Sequence, residues 1–193
     1  MTARYEAYIS PRKRSLFTEL PDTVMEIGPG TGANLAYLRK GCKWIGIEPN
    51  PYMHPQLQEK AAGLGVEAEF RLATAEAIEA DDSSVEVVLG TLVLCSVPDP
   101  HQVLAEIHRV LKPGGKFYFI EHVAAPQRTW LRVWQRVMRP IWMCFADGCH
   151  PDREAGTAIR NAGFQSVELE DFRVPFPPAA PFVSPHVAGF AVK

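Results

Sequence analysis

The amino-acid sequence predicts an α/β fold built on a doubly wound parallel sheet. Three observations lead to this prediction: strand-like and helix-like segments alternate along the chain, a glycine-rich stretch follows the first strand, and the length suits one well-cored domain. The 193 residues are 47% hydrophobic, and the chain is too short for a cofactor domain plus a full substrate domain. Ligands of such a sheet bind at the carboxyl ends of its strands.

The predicted elements follow one another in register along the chain. Short apolar runs bounded by turn residues predict strands, and apolar residues three and four positions apart predict helices. "KPGG" at 112–115 predicts a turn, and the proline-rich stretch 175–185 predicts a rigid loop. The predicted strands are 24–27, 43–49, 66–73, one within 84–95, 116–123 and 186–192, and the predicted helices are 10–20, 33–39, 55–64, 101–111 and 130–145.

The composition narrows the classes of function. Twenty basic and 22 acidic residues give a formal net charge of -2, so nucleic acid is not an expected partner. Charged residues interrupt the first twenty positions and no apolar stretch has transmembrane length, so we expect a cytoplasmic protein. The four cysteines form no CxxC pair and are expected to be free thiols. No metal is expected, because Cys144, Cys149 and His150 lack a second ligand pair at zinc-finger spacing.

The stretch "VMEIGPGTGANL", residues 24–35, predicts a cofactor-binding loop. Gly28, Gly30 and Gly32 let the backbone turn sharply and approach a ligand, and either a nicotinamide dinucleotide or S-adenosylmethionine could use such a loop. The spacing of Gly28, Gly30 and Ala33, with Glu48 twenty residues after Gly28, formally satisfies the dinucleotide fingerprint. Glu26 favours S-adenosylmethionine, because a carboxylate suits a sulfonium with an ammonium group better than a pyrophosphate. A nicotinamide-dependent enzyme would also need a second domain to bind its substrate, and the length of this chain leaves no room for one, which again favours S-adenosylmethionine.

Five motifs resemble those of the class I S-adenosylmethionine-dependent methyltransferases in order and spacing: "EIGPGTG", "IGIEPNP", "ATAEAI", "GTLVLCSV" and "RVLKPGGKFYFIEHV". More narrowly, "TGAN", "TLVLCSV", "LKPGGKFYFIEHVAA", "TW...WQ", "DGC" and "PHVAGFAVK" resemble the methyltransferase-like family whose animal members are alkyl thiol S-methyltransferases. The resemblance runs from about residue 8 to residue 193. It implies a Rossmann-like seven-stranded sheet with helices on both faces, in one domain over 1–193 with 128–150 as a substrate lid. The animal members carry an apolar N-terminal anchor, whereas this chain starts almost at the domain, so the resemblance does not imply membrane attachment.

The resemblance also implies a set of residues that bind S-adenosylmethionine. Glu48 would bind both ribose hydroxyls, and Thr91 with Leu92 would face the methionine amino group and the sulfonium. An ordinary surface carboxylate is the alternative for Glu76. The rest of the implied set is Glu26, Gly28, Pro29, Gly30, Thr31, Gly32 and Asn34 at the methionine end, Pro49 and Asn50 beside the adenine, and Ala75 and Glu76 at the adenine edge.

The implied reaction is an in-line displacement in which a nucleophile takes the sulfonium methyl group. A free thiol has a pKa of roughly 8.5, so a neighbouring histidine could raise its ionised fraction at neutral pH. His122, at the end of the fifth predicted strand, is the first candidate, and a hydrogen-bonded structural role for it stays equally open. Asp147, His186 and Cys149 are second candidates. Cys95 is expected to be a packing residue, because methyl transfer needs no covalent enzyme intermediate.

Residues 130–145 predict an amphipathic helix that covers an apolar pocket. Its apolar residues fall at helical spacing on one face, the arginines lie off that face, and Pro140 is expected to kink it. Two other interpretations stay open: a core helix packed on the sheet, and an interfacial helix resting on a membrane with its arginines at the headgroups. The expected substrate-binding residues are Trp130, Trp134, Met138, Trp142 and Cys149.

The leading hypothesis is therefore S-methylation of a small hydrophobic thiol by a monomeric enzyme, with peripheral membrane contact as an open alternative. N-, O- or C-methylation of an apolar metabolite, such as a quinone or lipid precursor, would use the same cofactor site. A protein that binds S-adenosylmethionine without turnover is the alternative from another class.

Overall fold

The computed structural model describes residues 3–175 and 180–193, and its centre is a seven-stranded sheet in the order β3-β2-β1-β4-β5-β7-β6. The strands are β1 Thr23–Ile27, β2 Lys43–Ile47, β3 Glu67–Arg71, β4 Val85–Thr91, β5 Leu111–His122, β6 Ser166–Arg173 and β7 Pro185–Val192. The helices are α1 Ala3–Leu16, α2 His54–Leu64, α3 Pro100–Val110, α4 Trp130–Phe145 and α5 Ala155–Arg160, with 3-10 turns at Leu35–Tyr37, Pro51–Met53 and Pro181–Val183.

The sheet is mixed, so the expectation of an all-parallel sheet is wrong at one edge. Strands β1 to β5 pair in parallel, whereas β7 runs antiparallel to both β5 and β6. Parallel neighbours need a crossover connection, but antiparallel β6 and β7 can be joined by a connection without one. The α/β class and the seven strands are confirmed.

Helices cover both faces because neighbouring residues of each strand point in opposite directions. On β2, Trp44 packs in a cluster with Leu57 of α2, while Ile45 belongs to the main core with Ile107 of α3. Helix α5 joins that main core, and Ile9 of α1 packs in a cluster on the opposite face. The strand ends where ligands of such sheets bind are therefore held between two packed layers.

Five segments differ from the sequence-based expectation. The helix predicted over 10–20 is α1 Ala3–Leu16, which begins and ends earlier and contains Pro11. The helix predicted over 33–39 is one 3-10 turn at Leu35–Tyr37, because the side chain of Asn34 is turned inward to hydrogen-bond with Glu26. The 112–115 turn lies inside β5 as an irregularity, since pairing with β4 shifts between Val85 and Val87. Helix α5 and strand β6 are additions to the prediction. Part of the proline-rich stretch, 176–179, lies outside the described residues.

The described residues contain no helix that is both long and apolar enough to cross a membrane.

Candidate active site

The glycine loop follows β1 with a backbone that only glycine adopts easily. Gly28, Gly30 and Gly32 have φ of +53°, +54° and +67°, in the left-handed region that other L-residues disfavour. A Cβ on Gly28 would lie 2.9 Å from a methyl group of Val93, while one on Gly30 would meet nothing within 4 Å. The loop thus packs tightly on one side and presents bare backbone to open space at Gly30.

Glu26 lies beneath this loop rather than on the cavity surface. It is 2% exposed, and its two carboxylate oxygens accept hydrogen bonds of 2.8 Å from the Asn34 amide and from the indole N–H of Trp44. Burial raises the pKa of Glu26 to about 7, although both hydrogen bonds oppose the shift. The buried Oδ1 of Asn34 has no hydrogen-bond partner among the described residues. The loop base therefore contains an acceptor that a ligand ammonium group could use.

Glu48 lies at the carboxyl end of β2, next to the glycine loop. Its carboxylate accepts hydrogen bonds from the backbone N–H of Asn50 at 3.0 Å and of Gly30 at 3.3 Å. The Asn50 side chain in turn accepts from the backbone N–H of Tyr52. Glu48 therefore ties the glycine loop to the end of β2.

Thr91 and Leu92 form the end of β4 on the other side of the loop. The Thr91 hydroxyl accepts a 3.0 Å hydrogen bond from the Asn34 amide. Leu92 has a φ of +59°, a strained conformation that clusters at functional sites, and its N–H donates to the carbonyl of Ile120 at 2.8 Å. The chain thus turns sharply where β4 ends.

Glu121, which the sequence analysis did not select, shapes this turn. Its fully buried carboxylate accepts hydrogen bonds from the backbone N–H groups of Val93, Leu94 and Cys95 at 2.9, 3.0 and 3.2 Å. Burial raises its pKa to about 7 against these hydrogen bonds. The signal in the sequence was an acid inside the apolar strand "FYFIEHV".

A cavity of about 500 Å³ opens at these strand ends. Its lining combines many of the predicted residues: Gly28, Pro29, Gly30, Thr31, Thr91, Leu92, His122, Trp142, Asp147, Cys149 and His186. The lining residues that the sequence analysis missed are Tyr5, Ala33, Met53, Phe145, Ala146 and Val183. Cys95, expected only to pack, lines it as well. The cavity therefore joins the glycine loop to a wall of histidine, cysteine and apolar side chains.

Several of the predicted cofactor-binding residues do not line the cavity. Ala75 is buried in the main core, and the Glu76 carboxylate accepts from the backbone N–H of Asp99 at 3.5 Å. The remaining residues of this group are Glu26, Gly32, Asn34, Glu48, Pro49 and Asn50, which lie on or beside the glycine loop and the end of β2.

The wall opposite the glycine loop contains two histidines and a thiol. His122 and His186 pair across β5 and β7, with ring centroids 5.4 Å apart. Nδ1 of His122 lies 3.4 Å from Sγ of Cys149, and its Nε2 lies 3.4 Å from the carbonyl oxygen of Phe182. Burial lowers the pKa of His186 to about 3, with His122 adding to the shift, so His186 is neutral near pH 7. Hydrogen bonds from Cys95 and His122 lower the pKa of Cys149 to about 5, against the effect of burial.

Helix α4 turns its polar side inward, which corrects the expected lid. Arg132 is paired with Glu154 at 2.8 Å. Gln135 is fully buried, and its side chain accepts from the N–H of Ala125 at 2.7 Å and donates to the carbonyls of Val123 and Phe182. These bonds fix which side of the helix faces the protein.

The apolar side of α4 consequently faces outward. Trp130 and Trp134 are 69% and 44% exposed, so the structure does not bring them to the cavity. Met138 is partly buried beside the cluster that contains Leu131 and Phe182. Trp142 does line the cavity and packs edge-on against Phe182, with ring centroids 5.3 Å apart. Only the carboxyl end of α4 therefore borders the site.

Among the described residues, no group of three or more histidine, cysteine, aspartate or glutamate side chains is placed to hold a metal ion.

Comparisons with known proteins agree with this geometry. Residues 25–119 match the family described as "Methyltransferase domain". A SAM-dependent methyltransferase from Methanosarcina mazei has a TM-score of 0.69 at 20% identity, over 91% of this chain and 95% of that one. The [4+2]-cyclase SpnF has a TM-score of 0.74 at 16% identity, over 97% of this chain and 80% of that one. At these identities the two structures establish the fold alone. Fold, family match and site together define a class I S-adenosylmethionine-dependent methyltransferase.

Full-length relatives identify the family within this class. The chain is 42% identical to "Thiol S-methyltransferase TMT1B" of Rattus norvegicus and 39% identical to "Thiol S-methyltransferase TMT1A" of Homo sapiens. Each alignment covers the whole of this chain and 83% or 82% of the relative. The chain belongs to the TMT1 family of thiol S-methyltransferases.

Proposed function

We propose that this protein methylates small apolar thiols in the cavity between the glycine loop and the histidine and cysteine wall. The observation that carries the proposal is the cavity itself, which brings the predicted donor loop and an apolar wall together in about 500 Å³. A volume of this size suits a small ligand and one reactive group. The names of the relatives at about 40% identity support thiols as the acceptor class.

The residues beside the glycine loop fit S-adenosylmethionine. The open side of Gly30 gives a ligand access to the backbone, and the unpaired Oδ1 of Asn34 offers an acceptor for its ammonium group. We assign Glu48 to the ribose hydroxyls, and Thr91 with Leu92 to the neighbourhood of the amino group and sulfonium. Glu26 acts through Asn34, because its carboxylate holds the amide of that side chain. When bound, S-adenosylmethionine supplies a methyl group on a positively charged sulfur, which a thiolate takes by in-line displacement.

The cavity wall supplies positioning and a proton acceptor. Trp142, Val183 and Leu92 line the cavity with apolar surface, which excludes water and strengthens the attraction between a thiolate and a cation. His122 is the proposed acceptor of the thiol proton, and His186, which is neutral near pH 7, is the second candidate. Holding the thiol in line accounts for most of the rate in this scheme.

A substrate panel tests the activity. The purified protein is incubated with S-adenosylmethionine and small apolar thiols, each beside its hydroxyl and amine analogue, and products are detected by mass spectrometry. Thiol-selective turnover supports the proposal. Methylation of only the hydroxyl or amine analogues would replace the thiol assignment by O- or N-methylation. Cofactor binding without turnover would favour a protein that binds S-adenosylmethionine without catalysis.

A pH profile tests His122. His122→Gln keeps a hydrogen-bonding side chain and removes the imidazole ring. The methylation rate of this variant should fall near neutral pH and recover toward high pH, where the substrate thiol ionises without a base. His186→Gln is the matched variant from the same wall. An unchanged profile in His122→Gln would leave this residue a structural role.

The outward face of α4 supports a proposal about location: we infer that this face rests on an anionic membrane. The face presents the exposed side chains Trp130, Val133, Trp134, Val137, Ile141 and Phe145. The segment 126–145 carries four arginines and no acidic residue in a chain of net charge -2. Arg132 and Arg139 pair with Glu154 and Asp152, whereas Arg128 and Arg136 are exposed and form no ion pair among the described residues. An apolar face flanked by arginines is typical of helices that lie in the membrane interface and attract anionic lipids.

Phe145 links this face to the cavity. Its side chain is 84% exposed and also lines the cavity. Apolar thiols concentrate in a bilayer, so a membrane beneath α4 would deliver them next to the cavity mouth.

Vesicle flotation tests the location. The protein should bind phosphatidylserine-containing vesicles more strongly than pure phosphatidylcholine vesicles, and high salt should weaken the binding. Trp134→Glu should weaken partitioning by about tenfold or more, since burial of such a side chain is worth about 1.5–3 kcal/mol. Leu72→Glu is the matched control, because Leu72 is an exposed apolar residue outside α4. Equal losses of vesicle binding in both variants would overturn the proposal. So would a parent protein that does not bind vesicles but forms a dimer that Trp134→Glu dissociates.

A further inference from the structure

Two cysteines meet in the cavity wall, and the proposed methyl transfer assigns a chemical step to neither of them. Cys95 follows β4 and Cys149 follows α4, and both line the cavity. The backbone N–H of His150 donates to the carbonyl of Cys95 at 2.8 Å, and Arg153 donates to the carbonyl of Leu94 at 2.9 Å. These bonds fasten the two cysteine-bearing loops together. Both side chains border the same cavity, and each thiol shifts the pKa of the other.

The two thiols have different environments. Nδ1 of His122 lies 3.4 Å from Sγ of Cys149, whereas the buried Glu121 carboxylate accepts from the backbone N–H of Cys95 at 3.2 Å. The pKa of Cys149 is lowered, first by the hydrogen bond from Cys95 and then by His122. The same hydrogen bond, burial and the charge of Glu121 raise the pKa of Cys95. One thiolate beside one protonated thiol is the arrangement of an attacking and a resolving cysteine.

We propose that Cys149 and Cys95 form a thiol–disulfide exchange site for small apolar disulfides that enter the cavity. The Cys149 thiolate attacks one sulfur of the ligand, the ligand S–S bond breaks, one half leaves as a thiolate, and the other half stays in a mixed disulfide. The departed thiolate takes the Cys95 proton. Cys95 then attacks the Cys149 sulfur, a Cys95–Cys149 disulfide forms, and the second half leaves as a thiolate. The cysteine pair loses two electrons and the ligand disulfide gains them.

Because the exchange takes place in the cavity, its product can serve as a methyl acceptor. The second half of the ligand is released as a thiolate inside the cavity, where the proposed function places the methyl acceptor. The exchange itself needs no methyl donor, so it can be measured without one.

The test uses reduced protein, the apolar probe 4,4'-dithiodipyridine and no S-adenosylmethionine. Cys144 is exposed, so all variants carry Cys144→Ser. The parent should release two equivalents of thiopyridone for each chain and become lighter by two hydrogen atoms in intact mass. Cys149→Ser should react at least about tenfold more slowly, while Cys95→Ser should release one equivalent and keep one thiopyridyl group. Cys42→Ser, which removes a cysteine buried away from the cavity, should behave as the parent.

Three results would overturn the proposal: parent-like rates in Cys149→Ser, no adduct in Cys95→Ser, or a parent that stops at a mixed disulfide. The pH dependence of the parent protein is a second test, which does not depend on whether the variants fold. Its exchange rate should stay level from about pH 8 to about pH 6, since a thiol with a lowered pKa remains ionised there. A tenfold fall for each pH unit would show ordinary thiols and would also refute the assignment.

Discussion

Replacing Glu121 by alanine should destabilise the protein strongly, because one buried carboxylate closes the turn after β4. The change leaves the backbone N–H groups of Val93, Leu94 and Cys95 without their acceptor. A buried unpaired donor costs about 1–3 kcal/mol, so three of them should lower the free energy of unfolding by about 3 kcal/mol or more. Glu121→Gln keeps one acceptor oxygen and should cost less.

Urea denaturation followed by fluorescence and circular dichroism gives these free energies, provided that both probes report one transition with an unchanged slope. Glu168→Ala is the control, since Glu168 is an exposed glutamate on β6 and should change stability by less than about 0.5 kcal/mol. A loss below about 1 kcal/mol in Glu121→Ala would refute the argument that this carboxylate holds the turn.

The other predictions concern the glycine loop and its surroundings. The pKa of Glu26 is raised from 4.5 to about 7, which means that the folded state binds this proton more tightly than the unfolded state. The free energy of unfolding should therefore fall as the pH rises from 4.5 to about 7. Urea titrations at several pH values should show that Glu26→Gln removes about 3 kcal/mol of this fall. Glu48→Ala should weaken S-adenosylmethionine binding by about tenfold or more in calorimetry, and unchanged affinity would remove its assignment to the ribose. Gly30→Ala should cost about 1–2 kcal/mol of stability through its φ of +54° and should also weaken cofactor binding.

Most of the sheet could be predicted from the sequence because its strands are short apolar runs with clear boundaries. The direction of β7 could not, since a run of apolar residues does not show whether its neighbour lies parallel or antiparallel. That direction depends on the connection from β6, which carries no helix-like pattern. The turn at 33–39 was mistaken for a helix because the Asn34 side chain donates inward hydrogen bonds to Glu26 and Thr91, which periodicity does not register.

The orientation of α4 shows a second limit of periodicity. A helical pattern identifies an apolar face, but the side that this face takes depends on partners elsewhere in the chain. Here Glu154 pairs with Arg132, and backbone groups of Val123 and Phe182 bind Gln135. The sequence analysis therefore located the helix correctly. Its leading interpretation, a lid, placed the apolar face on the cavity, whereas the interfacial alternative placed that face outward.

The candidate site also contains parts that local sequence predicts and parts that it does not. The glycine loop and the end of β4 were located from local motifs, because their geometry follows from adjacent residues. The pairing of His122 with Cys149, and of Cys149 with Cys95, arises only when β5, α4 and the loop after β4 converge. Cys95 consequently looked like a packing residue in the sequence.

The cavity draws much of its two walls from separate stretches of chain, and this separation bears on how the family can diversify. The glycine loop and the end of β4 belong to the first half of the sequence, whereas Trp142, Cys149, Val183 and His186 come from the last third. Substitutions at these four positions leave the hydrogen bonds of Glu26 and Glu48 beside the glycine loop intact. Selection can therefore explore new acceptors in one stretch while the other stays constrained, and exchange of residues 142–149 between relatives is a direct way to transplant specificity.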